Sequence, residues 1–572
     1  MKATDFNIII AGQAGQGLNT ISGLLLKTLT KGGWHVYASQ NYMSRVRGGH
    51  NFMNIRISQS PVFSTPAGAN MLVALDQRSV DEHLRRLEDP AVVVYDMESV
   101  KPAQGANGTI WAGAPLLKLA KENGGVIYQN SVALGGIMAL LGVGLTDLSG
   151  VFSKRFSKNR KVLEDNVRAA KAGFDYMTSI NGHFNFMPTL PQREKRLLMN
   201  GAEAMGLGMI AGGLRFVAAY PMSPSTGVFT YIAEKAARVG IIAEQAEDEI
   251  AAINMAIGAS AAGARSATMT SGGGLALMVE GVSLAGIMET PLVIADLQRP
   301  GPATGLPTRT GQEDLDFVLS LGHGEFPRFI FAPGTVEETF YTSAAAMNLA
   351  DKYQVPVFIL GDQLLVDSYS TLDKLDIPKI RNENYLISNE HLGKEPYLRY
   401  RFTETGVSPR AYFGQAGTHF ISDCHVHEED GHISEDAEIS SKMAEKRFRK
   451  LIGMKNEPYG PKYYGPEKAQ VALVCWGSTY GAVKETVDNF GQEGGGLGMV
   501  HFNRIWPFPG EDTLEILRGC KKIFVVENNI QGQFNRLLRR ETGIRTEEPI
   551  LRYDGRPFSV QFITQEILTR LA

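Results

Sequence analysis

Residues 6–38 have the sequence FNIIIAGQAGQGLNTISGLLLKTLTKGGWHVYA, in which an apolar run passes through a glycine turn into an amphipathic stretch and then a second apolar run. This order of strand, glycine turn, helix and strand is typical of a parallel α/β unit. Short apolar runs at 71–75, 91–96 and 125–130 predict further strands, and the Ala-, Lys- and Arg-rich region from about 160 to 172 predicts a helix. The sequence therefore predicts an α/β fold.

The composition limits the class of protein. The chain has 572 residues, which is long enough for about three or four domains. Its 57 Lys and Arg residues are balanced by 60 Asp and Glu residues, which disfavours a general nucleic-acid or anionic-membrane binder. The sequence has no apolar stretch of membrane-spanning length, and its N-terminus lacks a secretory leader pattern. We expect a cytoplasmic enzyme, or a large part of one.

The three cysteines, Cys424, Cys475 and Cys520, are too few and too scattered for a disulfide scaffold or a self-contained iron–sulfur or zinc site. His425 and His427 lie beside Cys424, but their spacing matches no zinc template. We therefore expect a polar loop there, and no metal held by this chain alone.

The β/α rhythm of the first module resumes twice along the chain. The sequence predicts an α/β domain at 1–188, a second at 197–375 and a third at 467–572. The Pro-, Tyr- and charge-rich segment 376–466 shows little periodicity and predicts an irregular connection.

The glycine loop Gly12-Gln-Ala-Gly15-Gln-Gly17 suggests a phosphate site, but two common motifs do not fit. A P-loop needs Lys-Ser/Thr after Gly17, where the chain has Leu-Asn, and a dinucleotide fingerprint needs glycine where Ala14 stands. Two interpretations stay open: backbone amides that face an anion or a neighbouring chain, and a tight turn that allows close packing.

Arg45 and Arg47 stand beside paired glycines in MSRVRGGH (43–50). Two arginines on an exposed backbone could bind phosphates through charge-assisted hydrogen bonds. A solvated turn or a subunit contact is the alternative.

The segment YPMSPST (220–226) follows a predicted strand, and its two prolines restrict a turn that carries three hydroxyl groups. A predicted helix begins there, so the turn suits a carboxylate or phosphate. A simple helix cap formed by Ser225 or Thr226 is the alternative.

Glu249 belongs to the acidic run Glu247-Asp248-Glu249, which opens a stretch of small residues typical of a closely buried helix. Acids in a first helical turn usually complement the helix dipole, but a carboxylate inside such a site could share a proton with a ligand nitrogen. Thr270-Ser271-Gly272-Gly273-Gly274 predicts a turn against which a flat ligand could lie. Arg299, at a predicted strand end, is a candidate clamp for a substrate carboxylate, with an interface salt bridge as the alternative.

Together these stretches resemble the α subunit of the 2-oxoacid:ferredoxin oxidoreductases, in the form with a γ domain fused at its N-terminus. The resemblance covers nearly the whole chain. Residues 12–17 and 45–49 resemble the γ domain; 220–226, 246–252, 269–274 and 298–308 resemble the pyrimidine-binding domain; and 476–482, 506–509 and 527–529 resemble the transketolase-like C-terminal domain.

The resemblance implies an enzyme that decarboxylates a 2-oxoacid on thiamine diphosphate, passes electrons to ferredoxin and forms an acyl-CoA. Glu249 corresponds to the family's glutamate that hydrogen-bonds the aminopyrimidine of the cofactor. The remaining residues implied in binding are, for the cofactor, Thr270, Ser271 and Gly272; for the substrate, Tyr220, Ser223, Thr226 and Arg299; and for CoA, Gly12, Gly15, Gly17, Arg45 and Arg47.

The sequence lacks the Gly-Asp-Gly motif with which thiamine enzymes hold the metal of the diphosphate; Gly361-Asp362-Gln363 is the nearest match. The resemblance therefore implies a β subunit that carries the diphosphate site, Mg²⁺ and a 4Fe–4S cluster, in an (αβ)₂ heterotetramer that reduces ferredoxin.

The fused domain order resembles the 2-oxoglutarate members, some of which run in the carboxylating direction of a reductive tricarboxylic acid cycle. Pyruvate or a branched-chain 2-oxoacid is an alternative substrate. Two further functions stay open for a chain of this kind: a non-catalytic scaffold that binds CoA or a partner, and a stand-alone transketolase-type enzyme.

Overall fold

The computed structural model describes residues 5–44, 49–102, 108–181, 194–393, 395–467, 469–492 and 496–571. The chain forms two compact units. Unit 1 comprises 1–199 with 368–375 and 559–562, and unit 2 comprises 200–367, 376–558 and 563–572. The candidate CoA ligands Arg45 and Arg47 lie outside the described residues.

The helices and strands up to residue 200 are β1 (Asp5–Gln13), α1 (Leu18–Lys31), β2 (His35–Asn41), β3 (His50–Ser58), β4 (Ala69–Ala74), α2 (Gln77–His83), β5 (Leu87–Asp96), β6 (Thr109–Ala114), α3 (Leu116–Glu122), α4 (Gln129–Leu140), α5 (Thr146–Arg155), α6 (Arg160–Asn181) and β7 (Leu197–Asn200). Those from 201 to 375 are α7 (Gly201–Ala211), β8 (Phe216–Ala219), α8 (Thr226–Val239), β9 (Ile242–Gln245), α9 (Glu249–Ala261), β10 (Ser266–Thr270), α10 (Gly272–Leu277), α11 (Val279–Ile287), β11 (Leu292–Gln298), α12 (Leu315–Ser320), β12 (Phe329–Phe331), α13 (Val336–Tyr353), β13 (Pro356–Asp362), α14 (Gln363–Asp367) and β14 (Tyr369–Leu372). The remaining elements are α15 (Ala437–Lys455), β15 (Lys462–Tyr464), β16 (Val471–Trp476), α16 (Tyr480–Gln492), β17 (Leu497–Phe502), β18 (Arg504–Trp506), α17 (Gly510–Leu517), β19 (Lys522–Glu527), α18 (Gln533–Thr542), β20 (Ile550–Leu551) and α19 (Val560–Leu571).

Among the described residues the strands form three sheets with helices packed on them, which confirms the predicted α/β class. The strand orders are β6-β5-β4-β1-β3-β2-β14-β7 in the first sheet, β18-β12-β13-β11-β10-β8-β9 in the second, and β15-β17-β16-β19-β20 in the third. In the described part of the chain, no helix is both long and apolar enough to cross a membrane.

The first sheet is mixed rather than parallel at the opening motif. β1 pairs in parallel with β4, but β3 lies between β1 and β2 and runs antiparallel to both. The sequence analysis missed β3, although its buried Met53, Ile55 and Ile57 alternate with more exposed residues as a strand requires. β1 and β2 therefore run in the same direction, as a strand–helix–strand unit requires, with β3 inserted between them.

The predicted strand at 125–130 is also wrong. Residues 126–128 form a short 3₁₀ turn that leads into α4. Gly135 on α4 packs so closely on α6 that a β-carbon there would overlap the carbonyl of Ala170. A short apolar run does not distinguish a strand from the start of a buried helix.

The second sheet forms the framework of the candidate site. Strands β8, β10, β11 and β13 are parallel, and β10, β11 and β13 are buried along their whole lengths. Helices cover both faces of this sheet, which explains why these strands are continuous apolar runs rather than alternating ones. The loops after β8, β10 and β11 leave from the same edge, where ligands of open α/β sheets bind.

The segment 376–466 differs from the expected irregular connection in its second half. α15 spans 19 residues within it, and Lys446 and Lys450 on this helix form buried ion pairs with Glu289. The expectation of irregular chain is therefore wrong for 437–455.

β18, which belongs to the predicted third module, pairs antiparallel with β12 and extends the second sheet.

Candidate active site

The turn after β8 presents Tyr220 and Ser223 to solvent, and α8 begins at Thr226. Ser225 stands at the N-cap position of α8, but its hydroxyl donates to the carbonyl of Met222 at 2.7 Å rather than accepting from the helix. The alternative of a side-chain helix cap is therefore wrong for Ser225. The hydroxyl instead tightens the turn that carries Ser223.

Glu249 begins α9, but the helix is capped by its neighbour. The Asp248 carboxylate accepts from the backbone N–H of Ala251 at 2.7 Å. Glu249 itself is buried, and its Oε1 accepts no hydrogen bond from any donor in the described residues. A buried carboxylate oxygen without a donor is costly, so this atom is suited to a ligand that can donate to it.

Glycine backbone and the side chain of Thr270 lie beside this carboxylate. A β-carbon on Gly274 would lie 2.5 Å from Glu249 Oε1 and would overlap the hydroxyl of Thr270. Ser271 is fully buried, and its hydroxyl has no hydrogen-bond partner among the described residues. Glu249, Thr270, Ser271 and Gly274 thus form one polar cradle at the carboxyl edge of the second sheet.

Arg299 follows β11, and the structure brings it to the turn after β8. Its Nη1 donates to the carbonyl of Ser223 at 2.7 Å, while its buried Nε has no acceptor among the described residues. Burial lowers the pKa of this guanidinium, and the nearby carboxyl of Asp314 opposes that shift. Arg299 therefore keeps donor capacity for an anion near Ser223.

Two acids that the sequence analysis did not select lie beside this cradle. Asp296 on β11 is fully buried, and Asp314 stands directly before α12. A β-carbon on Gly272 would lie 2.6 Å from Asp314 Oδ2, so the Asp314 carboxyl packs on the glycine turn. Burial and the neighbouring Asp314 raise the pKa of Asp296, and burial raises the pKa of Asp314 to about 7.

Gln312 ties the loop that carries Asp314 to the C-terminal part of unit 2. Its side-chain amide donates to the carbonyl of Trp476 at 2.8 Å and accepts from the backbone N–H of Asn528 at 2.9 Å. Asn529 donates to the carbonyl of Gln312 at 2.9 Å, and the buried carboxylate of Glu527 in turn accepts from Asn529. The motifs WGS and ENN therefore hold the loop after β11 in place.

Asp362, the nearest match to a diphosphate-metal motif, is used internally. Its carboxylate accepts from the hydroxyl of Ser478 and from the backbone N–H of Leu365, and burial raises its pKa to about 6. These contacts make Asp362 a structural group in unit 2.

In unit 1, His50, Glu82 and His83 are close enough to hold a metal, but their hydrogen bonds favour a proton instead. Arg86 can only donate, and its Nη1 lies 3.2 Å from Nδ1 of His83. His83 therefore carries its proton on Nε2, which lies 2.7 Å from Nε2 of His50. That proton occupies the position a metal would need.

The side chain of Gln16 closes the glycine loop of unit 1. The Gln16 side chain accepts from the backbone N–H of Gln13 at 2.7 Å. Gly15 and Gly17 have φ of 97° and 81°, which glycine adopts readily, and a β-carbon on Gly12 would lie 2.6 Å from Gln16 Oε1. The loop therefore makes a tight turn, and binding of an anion or CoA by its backbone amides stays a prediction.

Comparison with known proteins agrees with this arrangement. Residues 207–446 match the family model described as pyruvate flavodoxin/ferredoxin oxidoreductase, thiamine diphosphate-binding. Residues 7–176 match pyruvate ferredoxin/flavodoxin oxidoreductase, and 469–563 match pyruvate:ferredoxin oxidoreductase core domain II. Unit 2 therefore contains a thiamine-diphosphate-binding domain of this type.

Relatives match over nearly the whole chain. The 2-oxoacid:ferredoxin oxidoreductase subunit alpha of a Sulfolobus species is 32% identical and aligns over 96% of this chain and 94% of its own. The 2-oxoglutarate oxidoreductase subunit KorA of Mycobacterium tuberculosis is 27% identical, over 93% and 87% respectively. The solved 2-oxoglutarate:ferredoxin oxidoreductase from Magnetococcus marinus, with 2-oxoglutarate, coenzyme A and succinyl-CoA bound, matches with a TM-score of 0.93 and 31% identity over 100% of both chains.

The chain belongs to the family of 2-oxoacid:ferredoxin oxidoreductase alpha subunits, which confirms the resemblance inferred from its motifs. It is thus a subunit of an oxidoreductase, and the name of its relatives implies at least one partner subunit.

Proposed function

We propose that this chain, together with a β subunit, interconverts a 2-oxoacid and CoA with an acyl-CoA, CO₂ and reduced ferredoxin. The substrate is 2-oxoglutarate and the product is succinyl-CoA. The observation that carries the proposal is the buried Glu249 Oε1, to which no group in the described part of the chain donates, in the polar cradle that it forms with Thr270, Ser271 and Gly274. The similarity to the Magnetococcus marinus enzyme supports the choice of substrate.

The cradle fits the aminopyrimidine part of thiamine diphosphate. Glu249 would hold a proton between its Oε1 and a ring nitrogen, which removes the cost of an unpaired buried carboxylate oxygen. Thr270, Ser271 and Gly272 would contact the same ring through hydroxyl and backbone groups. Thiamine diphosphate supplies, when bound, an electron sink for decarboxylation of a 2-oxoacid.

Arg299 would bind the carboxylate of the substrate. Its guanidinium is held by the Ser223 carbonyl and still has Nε and Nη donors to offer, as a bidentate pair requires. Tyr220, Ser223 and Thr226 would border this position, because all three belong to the turn that Arg299 contacts.

The remaining parts of the reaction require further components. The β subunit would supply the diphosphate site, Mg²⁺ and a 4Fe–4S cluster, in a cytoplasmic (αβ)₂ assembly with ferredoxin as electron acceptor. Gly12, Gly15 and Gly17 of unit 1, with Arg45 and Arg47, would contribute to CoA binding. The proposal also includes the domain boundaries predicted from the sequence, which divide the chain at 1–188, 197–375, 376–466 and 467–572.

The test compares two isosteric substitutions in the complex purified with its β subunit. Glu249→Gln should lower 2-oxoacid-dependent, CoA-dependent viologen reduction by about 10²-fold or more, because it removes an acid–base group. It should also weaken binding of thiamine diphosphate, measured by calorimetry. Glu247→Gln changes an exposed acid two residues away and should behave as wild type. Full turnover in Glu249→Gln would refute the proposal and favour a non-catalytic scaffold.

A further inference from the structure

The loop after β11 begins with Arg299 and continues as Pro-Gly-Pro. Among residues 300–302 only Gly301 has a backbone N–H, because proline has none. That N–H donates to Oε2 of Glu313 at 2.9 Å, across 12 positions of the chain. The side chain of Glu313 therefore reaches back from the end of the loop and holds the backbone two residues after Arg299.

The first half of this loop is a compact backbone turn. The N–H of Leu306 donates to the carbonyl of Pro300 at 2.9 Å. Gly305 has φ of 50°, and a β-carbon there would overlap the same carbonyl. Because residues 300–306 form a closed turn directly after Arg299, a contact that holds this turn also bears on the position of the arginine.

Glu313 is itself held by the C-terminal part of unit 2. Its backbone carbonyl accepts from the side-chain amide of Gln533 at 2.8 Å. The oxygen of the same amide accepts from the backbone N–H of Asp316 at 3.0 Å. Gln533 is buried and is the first residue of α18. Hydrogen bonds therefore lead from α18 through Glu313 to the turn that follows Arg299.

The guanidinium of Arg299 depends on the position of this turn. Its Nη1 donates to the carbonyl of Ser223 at 2.7 Å, and its buried Nε has no acceptor in the part of the chain that the structure describes. Bidentate binding of a carboxylate requires two guanidinium nitrogens in a fixed orientation. A small shift of the backbone at Arg299 should therefore weaken that binding.

We propose that Glu313 positions Arg299 for the substrate carboxylate through the hydrogen bond to Gly301. Gln533 on α18 holds Glu313 in place. Glu313 is a positioning residue, because it acts through the loop backbone and needs no contact with the substrate. The C-terminal part of unit 2 thereby helps to set the affinity for the 2-oxoacid. This inference rests on the proposed function, because it requires a 2-oxoacid to bind at Arg299.

Two substitutions of Glu313 in the complex with the β subunit test the hydrogen bond. Glu313→Ala removes the acceptor and should raise KM for 2-oxoglutarate about 3–10-fold, with kcat changed by less than about twofold. Glu313→Gln keeps an oxygen that accepts from the same N–H, so KM should stay within about twofold of the wild type. A wild-type KM in Glu313→Ala would overturn the inference. Equal rises in the two variants would also overturn it, because the charge and not the hydrogen bond would then matter.

Asp316→Ala is the matched structural control. It removes the ion pair of Asp316 with Arg536, which also joins α12 to α18, and leaves the bond between Glu313 and Gly301 in place. KM in this variant should equal that of the wild type. A rise as large as in Glu313→Ala would indicate general loosening of the loop and would overturn the inference.

Gln533→Glu tests the contact with α18. A carboxylate cannot donate to the carbonyl of Glu313, but it still accepts from the backbone N–H of Asp316. KM should therefore rise with little change in kcat, as in Glu313→Ala. An unchanged KM would overturn the part assigned to α18.

A double-mutant cycle separates failure of the inference from failure of the proposed function. Arg299→Lys alone should raise KM for 2-oxoglutarate. Adding Glu313→Ala to Arg299→Lys should raise KM further by less than about twofold, because the guanidinium that Glu313 positions is already absent. A further rise as large as that in the wild-type background would overturn the inference alone. An unchanged KM in Arg299→Lys would refute the binding of substrate at Arg299, and the inference with it.

Discussion

Gly274→Ala should disable the site without unfolding the protein. The added β-carbon would lie 2.5 Å from Glu249 Oε1 and 2.9 Å from its Cγ. An ordinary carbon–oxygen contact is about 3.3 Å or longer, so the carboxylate must move by about 0.8 Å. A displacement of this size in a reacting group costs about 10²-fold in rate. We therefore expect kcat/KM to fall about 10²-fold.

The stability change should be small by comparison. Overpacking a close contact costs about 1–3 kcal/mol, and replacing a helical glycine by alanine returns about 0.5–1 kcal/mol. The net loss in free energy of unfolding should be about 1 kcal/mol, measured by urea denaturation of the complex. Reduced content of thiamine diphosphate after gel filtration should accompany the loss of turnover.

Gly258→Ala provides the matched control. Gly258 lies in α9, the helix that Glu249 begins, and a β-carbon there would meet no atom within 4 Å. This substitution should stabilise the protein by about 0.5–1 kcal/mol and leave turnover unchanged. Wild-type turnover and cofactor content in Gly274→Ala would refute the assignment of Glu249 to the cofactor site.

Three further predictions concern different parts of the chain. Arg299→Lys should raise KM for the 2-oxoacid about 10–100-fold, because lysine lacks the two-pronged guanidinium that binds a carboxylate. Ser223→Ala should change KM only a few-fold, because Arg299 contacts the backbone carbonyl of Ser223 and not its hydroxyl. Steady-state kinetics would compare the two variants, and equal changes in KM would contradict this contact. Gln312→Ala leaves the buried backbone N–H of Asn528 unpaired, whereas the carbonyl of Trp476 keeps the Thr479 hydroxyl as a donor. The free energy of unfolding should fall by about 1–3 kcal/mol in urea titrations, so an unchanged midpoint would count against the loop anchor. Burial and Arg86 lower the pKa of His83 from 6.5 to about 3, so as the pH falls the unfolded chain takes up a proton before the folded chain does. The free energy of unfolding of unit 1 should therefore decrease as pH falls from about 6.5 towards about 3. His83→Gln should make this decrease shallower, and a decrease as steep as in the wild type would contradict the prediction.

Continuous apolar runs made much of the fold predictable. β4, β5 and β11 lie where such runs occur, because strands covered on both faces have little polar sequence. β3 was missed even though its alternation was present, since a half-buried strand has a weaker signal. The run at 125–130 was predicted as a strand because its length and composition suit one. In the structure this run leads into α4, whose glycines allow close packing on α6.

The site was predictable where a short motif carries the chemistry. Glu249, Ser223 and Arg299 were selected from local sequence, and the structure brings Ser223 and Arg299 into contact. Asp296 and Asp314 were not selected, because Asp314 reaches the site through a loop that leaves β11 and returns to it, where its backbone N–H donates to the side chain of Gln298. Hydrogen bonds between Gln312 and the distant ENN motif fix the course of that loop. No spacing in the sequence indicates that Gln312 and the ENN motif lie together.

The most direct test of the proposed reaction uses this chain co-expressed anaerobically with its β subunit and purified as a complex. The measurement is the initial rate of CoA-dependent viologen reduction with 2-oxoglutarate, pyruvate and 2-oxoisovalerate in parallel. We predict turnover with a strong preference for 2-oxoglutarate. A preference for another acid would keep the reaction and reassign the partner of Arg299. Absence of turnover with all three acids, in a complex that contains thiamine diphosphate and iron, would contradict the catalytic account.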